Sequence, residues 1–156
     1  MKYKFRIWSD DYGQMCDVVS LTWYKKGALP GRLGKDDGVV VGFPVVDEEG
    51  KTRWANTVAD GDNPLMQYTG KDDIHGVEVY EQDVVMGQSI EDPLFVPMGV
   101  VARVGSTFTL MAEGFGEFSL DSMDLLVVGN TRENPEMLMQ GYGDTRRDAF
   151  GWTDED

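Results

Sequence analysis

The stretch Val39-Val40-Val41-Gly42-Phe43-Pro44-Val45-Val46 is β-branched or aromatic at most positions and runs into the turn residues Asp47-Glu48-Glu49-Gly50. β-Branched side chains are stiff and pack well on a pleated surface, and the acidic, glycine-ended run interrupts the pattern, so the segment reads as a strand followed by a turn. Pro44 has no N–H for a ladder, which predicts an edge position or a bulge there. The same pattern recurs on both sides. Upstream, Tyr3, Phe5 and Ile7 alternate with Lys2, Lys4 and Arg6, Asp10-Asp11-Tyr12-Gly13 turns the chain, and Met15 to Trp23 resumes the run, which together predict an opening β-hairpin. Downstream, strands are predicted over residues 53–58, 76–80, 83–86, 95–104, 107–112 and 125–128, with glycine-rich or acidic turns between them. One helix has a start signal: Asn134 as N-cap, Pro135 at the first helical position, Glu136 in the first turn, then Met137, Leu138 and Met139. Many short strands, one short helix and no internal repeat or heptad run give a mainly β (β-rich α+β) fold of barrel or sandwich type.

The 156 residues are 41% apolar and 11% aromatic, enough to build a packed core without disulfides or a cofactor. The single cysteine, Cys16, and the alternating start in place of a charged-then-apolar leader point to a cytoplasmic protein. The longest apolar runs fall far short of the roughly 20 residues of a membrane span, so no membrane association is expected. Twenty-eight acids against fourteen bases leave a net charge of −14. That charge repels phosphate backbones and attracts basic protein surfaces, although it also serves solubility alone. Residues 25–38 lose periodicity in favour of Gly, Pro, Lys and Asp and read as a surface loop, while residues 141–156 form an acidic tail carrying Tyr142, Phe150 and Trp152.

Chemistry is sparsely represented. A catalytic triad or a zinc site needs imidazoles or thiolates in number, and the chain has one histidine, His75, and one cysteine. His75 lies in Lys71-Asp72-Asp73-Ile74-His75-Gly76, which reads as an exposed hairpin turn, and Cys16 reads as a small buried hydrophobe. Gly87-Gln88-Ser89-Ile90-Glu91 lacks the closing glycine of a nucleophile elbow, and the Gly-Lys-Asp runs at 34–36 and 70–72 lack the hydroxyl residue of a phosphate-binding loop. Asp60-Gly61-Asp62-Asn63 is broken as an EF-hand loop by Pro64 and by the missing glutamate at its twelfth position. The acids at 36–37, 47–49 and 72–73 read as solvated turns. Neither an enzyme nor a metal protein is expected.

Two stretches go beyond composition. Leu65-Met66-Gln67-Tyr68-Thr69-Gly70 is followed by Gly76-Val77-Glu78-Val79-Tyr80-Glu81-Gln82-Asp83-Val84-Val85, and near the end stands Val128-Gly129-Asn130-Thr131-Arg132-Glu133-Asn134-Pro135-Glu136. Together they resemble the YopX family of phage and prophage proteins, whose members carry "LMQYTG", "G-x-E-I-Y-E-G-D-I-V" and "V-I-G-N-x-x-E-N-P-E-L" segments in this order. Phe5-Arg6-Ile7-Trp8 followed by Met15 resembles the family's opening, so the likeness spans roughly residues 4–138. Gln82 replaces the glycine of "E-G-D", and residues 25–62 have no counterpart. The resemblance implies a phage-derived, oligomeric protein with a small SH3-like barrel in its C-terminal half, and it implies no activity. The expected organisation is an N-terminal β region over 1–62, the barrel over 63–140 and the tail over 141–156.

These readings lead to a non-enzymatic phage accessory protein that binds and modulates or inhibits a host bacterial protein, in defence or nucleic-acid handling, across a basic surface of that protein. The candidate binding residues are Gln67, Tyr68 and Glu81, together with Phe150, Trp152, Asp154 and Glu155 of the tail. One alternative is an oligomeric sponge for a nucleotide-like molecule, with Trp23 or Trp54 stacking on a base and Arg32, Lys35, Lys51 and Arg53 as the available cations. The other is a nucleic-acid-binding barrel, which the net charge opposes.

Overall fold

The computed structural model describes residues 4–25, 38–112 and 115–139. The loop expected at 25–38, except for Lys25 and Gly38, and the tail expected at 141–156 lie outside them. Strands make up 61% of the structure and helix 5%, as the sequence reading has it. The chain divides into two compact units, Tyr3–Gln67 and, with the first two residues, Tyr68–Asp156.

The first unit begins with the expected hairpin, β1 (Phe5–Ser9) and β2 (Gln14–Asp17), in the register Ile7 opposite Cys16. β3 (Ser20–Tyr24), β4 (Gly38–Val46) and β5 (Thr52–Val58) form a three-stranded antiparallel sheet in that order. Strand periodicity sends Val41, Phe43 and Val45 to one face of β4, where they pack with Ile7 and Cys16 as the unit's core. Pro44 is tolerated because β3 pairs with β4 only as far as Gly42; from Phe43 onward β5 is the strand's one ladder partner, which leaves a local edge. β6 (Leu65–Asp72) starts in this unit, where Leu65, Met66 and Gln67 pair with β1.

In the second unit the rest of β6 pairs with β7 (Glu78–Tyr80), and β8 (Asp83–Ser89), β9 (Met98–Val104), β10 (Thr107–Ala112), β11 (Gly116–Ser119) and β12 (Met123–Asn130) follow. The last five make an antiparallel sheet in the order β11-β10-β9-β8-β12, curled as a half-barrel. It packs around a separate core of Val79, Val85, Val101, Leu110, Leu120, Met123 and Leu125.

The β6–β7 hairpin is tied by polar groups to β12 and to the 3-10 turn just before it, Leu120–Ser122. Lys71 Nζ donates to the carbonyls of Leu120 and Met123, at 2.6 Å each, and Ile74 N donates to Leu125 O at 2.9 Å. Asp73, expected in a solvated turn, is buried: Oδ1 accepts from the N–H groups of His75 and Val77, and Oδ2 from that of Val127 at 3.0 Å. A turn acid can fold its own loop and also reach a strand 54 residues away, a long-range partner that no local pattern reveals. Gly70 lies inside β6 at a bulge with φ of 86°, where the register shifts between Tyr68 and Asp72. The helix predicted from Asn134 is a five-residue 3-10 turn, Pro135–Met139, and Asn134 Oδ1 turns back to accept from Asn130 N instead of capping it.

Candidate functional site

Two turns that the sequence read separately meet in the first unit. The β1–β2 turn contributes Asp11 and Tyr12, and the β4–β5 turn contributes Asp47, Glu48 and Glu49; with Gln14, Val46 and Arg53 they line a groove of about 680 Å³. Gln14 sets their spacing, because its side-chain amide grips the backbone of Val46 from both sides: Nε2 donates to Val46 O at 2.7 Å, and Oε1 accepts from Val46 N at 3.2 Å. This two-way clamp holds the end of β2 against the end of β4.

The β4–β5 turn is preorganised by Asp47. Its Oδ1 accepts from Glu49 N at 3.0 Å and from Lys51 N at 2.9 Å, while Oδ2 accepts from Arg53 Nε. The Arg53 hydrogen bond, helped by the Lys51 amide, holds the Asp47 carboxyl below the usual carboxylate range, so it stays ionised near neutral pH. Four acids and one arginine therefore line the groove, and that arginine is paired with one of the acids. Tyr12 stands 44% exposed on the wall, offering an aromatic ring within a negative setting. Such a site attracts cations carried on side chains, since carboxylates accept from ammonium and guanidinium groups and a tyrosine face attracts both.

The residues singled out from the sequence are distributed differently. Tyr68 is buried, its hydroxyl donates to Asp72 Oδ1, and its ring packs on Tyr80 with centroids 5.5 Å apart. The bond to Asp72, then burial, pushes its phenol up to about 12, and little of the ring is left for a partner. Gln67 is half-buried in β6 of the first unit, opposite Phe5, and Glu81 is half-buried in the turn after β7 of the second. Phe150, Trp152, Asp154 and Glu155 lie outside the described residues, as do Arg32 and Lys35. Lys51 and Arg53 face the carboxylates of Glu49 and Asp47. Trp23 and Trp54 are exposed.

Among the described residues no group of three or more His, Cys, Asp and Glu side chains is arranged to hold a metal ion, and no helix is long and apolar enough to cross a membrane. Sequence reasoning missed the groove because each half is an ordinary acidic turn; the available signal was the matching pair Asp10-Asp11-Tyr12-Gly13 and Asp47-Glu48-Glu49-Gly50.

Comparison with known proteins gives a family and a fold. The structure is similar to that of protein EF1440 from Enterococcus faecalis, with a TM-score of 0.52 and 21% identity over 88% of this chain and 99% of that one. It is also similar to protein yopX from Bacillus subtilis, with a TM-score of 0.49 and 15% identity over 92% of this chain and 100% of that one. No curated protein matches the sequence. Residues 4–139 match the family described as YopX protein, and the chain belongs to that family.

Proposed function

We propose that this protein is a non-catalytic phage accessory protein that binds and modulates a host protein, and that its acidic groove receives lysine or arginine side chains from that partner. The observation that carries the reading is the joining of two acidic hairpin turns, by the Gln14 clamp, around an exposed tyrosine in a chain of net charge −14. Long-range attraction speeds encounter with a basic surface, and the groove supplies the local contact. The proposed site differs from the Gln67, Tyr68 and Glu81 patch because Tyr68 faces the interior.

The test is capture from bacterial lysate followed by native mass spectrometry, with the natural chain and with Asp11→Lys/Glu48→Lys. A stoichiometric basic protein retained by the first, lost from the second and released by salt supports the reading. Equal retention by both overturns the groove assignment, and a chain that carries only a small-molecule mass overturns protein binding in favour of the sponge. The pairing of Lys51 and Arg53 with acids weighs against the sponge, because a ligand phosphate would have to displace them.

A further inference from the structure

The three-stranded sheet of the first unit has a second face. Residues paired directly across antiparallel strands share a face, so the positions of β4 that alternate with the buried Val41, Phe43 and Val45 belong to the opposite side. These are Gly38, Val40, Gly42, Pro44 and Val46. Their partners are Tyr24, Thr22 and Ser20 on β3, and Val58, Asn56, Trp54 and Thr52 on β5. None of the twelve carries a charge, in a chain where 27% of residues do.

The face is also flattened. A Cβ on Gly42 would stand 2.6 Å from Cζ2 of Trp54, so the indole lies down across the glycine; likewise the Tyr24 ring covers Gly38, whose Cβ would meet the phenol carbon at 2.6 Å. Trp54 is nevertheless 53% exposed, and Ser20, Thr22 and Asn56 are exposed beside it. A flat face with prostrate aromatic rings and short uncharged side chains is the composition found at the centre of protein interfaces, where aromatics are enriched and charges depleted.

We infer that this face pairs with the same face of a second copy of the chain. Charge selects the occupant. Two copies of net charge −14 repel each other wherever their acids meet, and an uncharged face is where they can approach at least cost. A basic partner gains no counter-charge there, and a nucleic acid is held off by the rest of the surface. The sheet face measures roughly 30 Å by 14 Å, on the order of 400 Å² per copy. That is about half the area of a standard stable interface, so the dimer is weak and reversible and is sought at concentrations of about 10–1,000 μM. This inference does not depend on the acidic groove.

Sedimentation velocity on the full chain across that concentration range, at low and at high salt, tests it. The expected result is a monomer–dimer equilibrium whose dimer fraction rises with concentration and also with salt, because screening removes the repulsion while leaving the uncharged contact intact. Thr22→Glu/Asn56→Glu places acids on the exposed face without touching the core, and it is expected to lower the dimer fraction at least tenfold while circular dichroism and the melting temperature stay unchanged. Trp54→Ala, which keeps the charge, is expected to lower it as well. A natural chain that stays monomeric throughout the range at both salts overturns the inference. So does a dimer that persists in both folded variants, or one that salt dissociates.

Discussion

Gln82, read from the resemblance as replacing the glycine of an "E-G-D" segment, has a backbone conformation that favours glycine: φ is 66°. The left-handed region costs an L-residue roughly 1–2 kcal/mol. Three contacts over-determine the turn: Gln82 N donates to Val101 O at 2.8 Å, Gln82 O accepts from Thr131 N at 3.0 Å, and the side-chain Oε1 accepts from the Thr131 hydroxyl at 2.9 Å. Gln82→Gly relieves strain but loses the hydroxyl contact and gains freedom in the unfolded chain, so its urea midpoint is predicted to shift by no more than about 1 kcal/mol equivalent. Gln82→Val, β-branched at a positive φ, is predicted to destabilise by about 2 kcal/mol more than the glycine variant; equal midpoints for the two would contradict the assignment of strain. Asp73 makes a second prediction. Burial alone would raise its pKa, but the N–H groups of Val127, Val77 and His75 outweigh that and hold it below the usual carboxylate range. A carboxyl whose folded pKa lies below its unfolded value of about 3.9 stabilises fully above that pH, and the contribution is lost as pH falls through the folded value. Asp73→Ala, which orphans three donors, is predicted to cost about 3 kcal/mol at pH 7 and to flatten the dependence of stability on pH below about 4. A variant as acid-sensitive as the natural chain would show that other carboxylates govern the acid limb.

The strands are where sequence and structure agree most closely, and the reason is periodicity. In β4, Val41, Phe43 and Val45 alternate inward as read, and Pro44 sits on a local edge as its missing N–H requires. The second unit follows the same rule at Val79, Val85, Val101 and Leu110. What periodicity cannot express is a contact between distant segments. The bulge at Gly70, the descent of Asp73 onto β12 and the meeting of the two acidic turns each join residues far apart in sequence, so each was legible only as a local turn. Gly99 is a case at the element scale. A Cβ there would lie 2.2 Å from Met111 O, a backbone atom of the neighbouring β10 that cannot swing away, so only glycine lets β9 and β10 approach as they do. Gly99→Ala is predicted to destabilise the second unit by about 3 kcal/mol through displacement of the strand pair, read from denaturant unfolding and from amide exchange at Val101 and Leu110. A loss below about 1 kcal/mol would mean that the approach is not closely packed.

At the scale of the molecule the recurring quantity is charge. The net −14 was available from composition, but its distribution was not: the fold gathers acids from two turns around one groove and leaves the outer face of the neighbouring sheet without any. The two surfaces respond to salt in opposite directions, because screening weakens attraction of a basic partner and relieves repulsion between copies. The likeness to protein EF1440 at 21% identity supplies the fold and leaves the choice of partner to this chain's own surface. The most direct test of the account is the binding of a lysine- and arginine-rich peptide, followed by fluorescence anisotropy against salt concentration, for the natural chain, for Asp11→Lys/Glu48→Lys, and for Asp121→Lys/Asp124→Lys, which makes the same change in net charge on exposed acids of the second unit. The account predicts salt-sensitive binding that weakens at least tenfold in the groove variant and only slightly in the control. Equal weakening in both variants would contradict it, showing that the chain offers a diffuse negative field and no site.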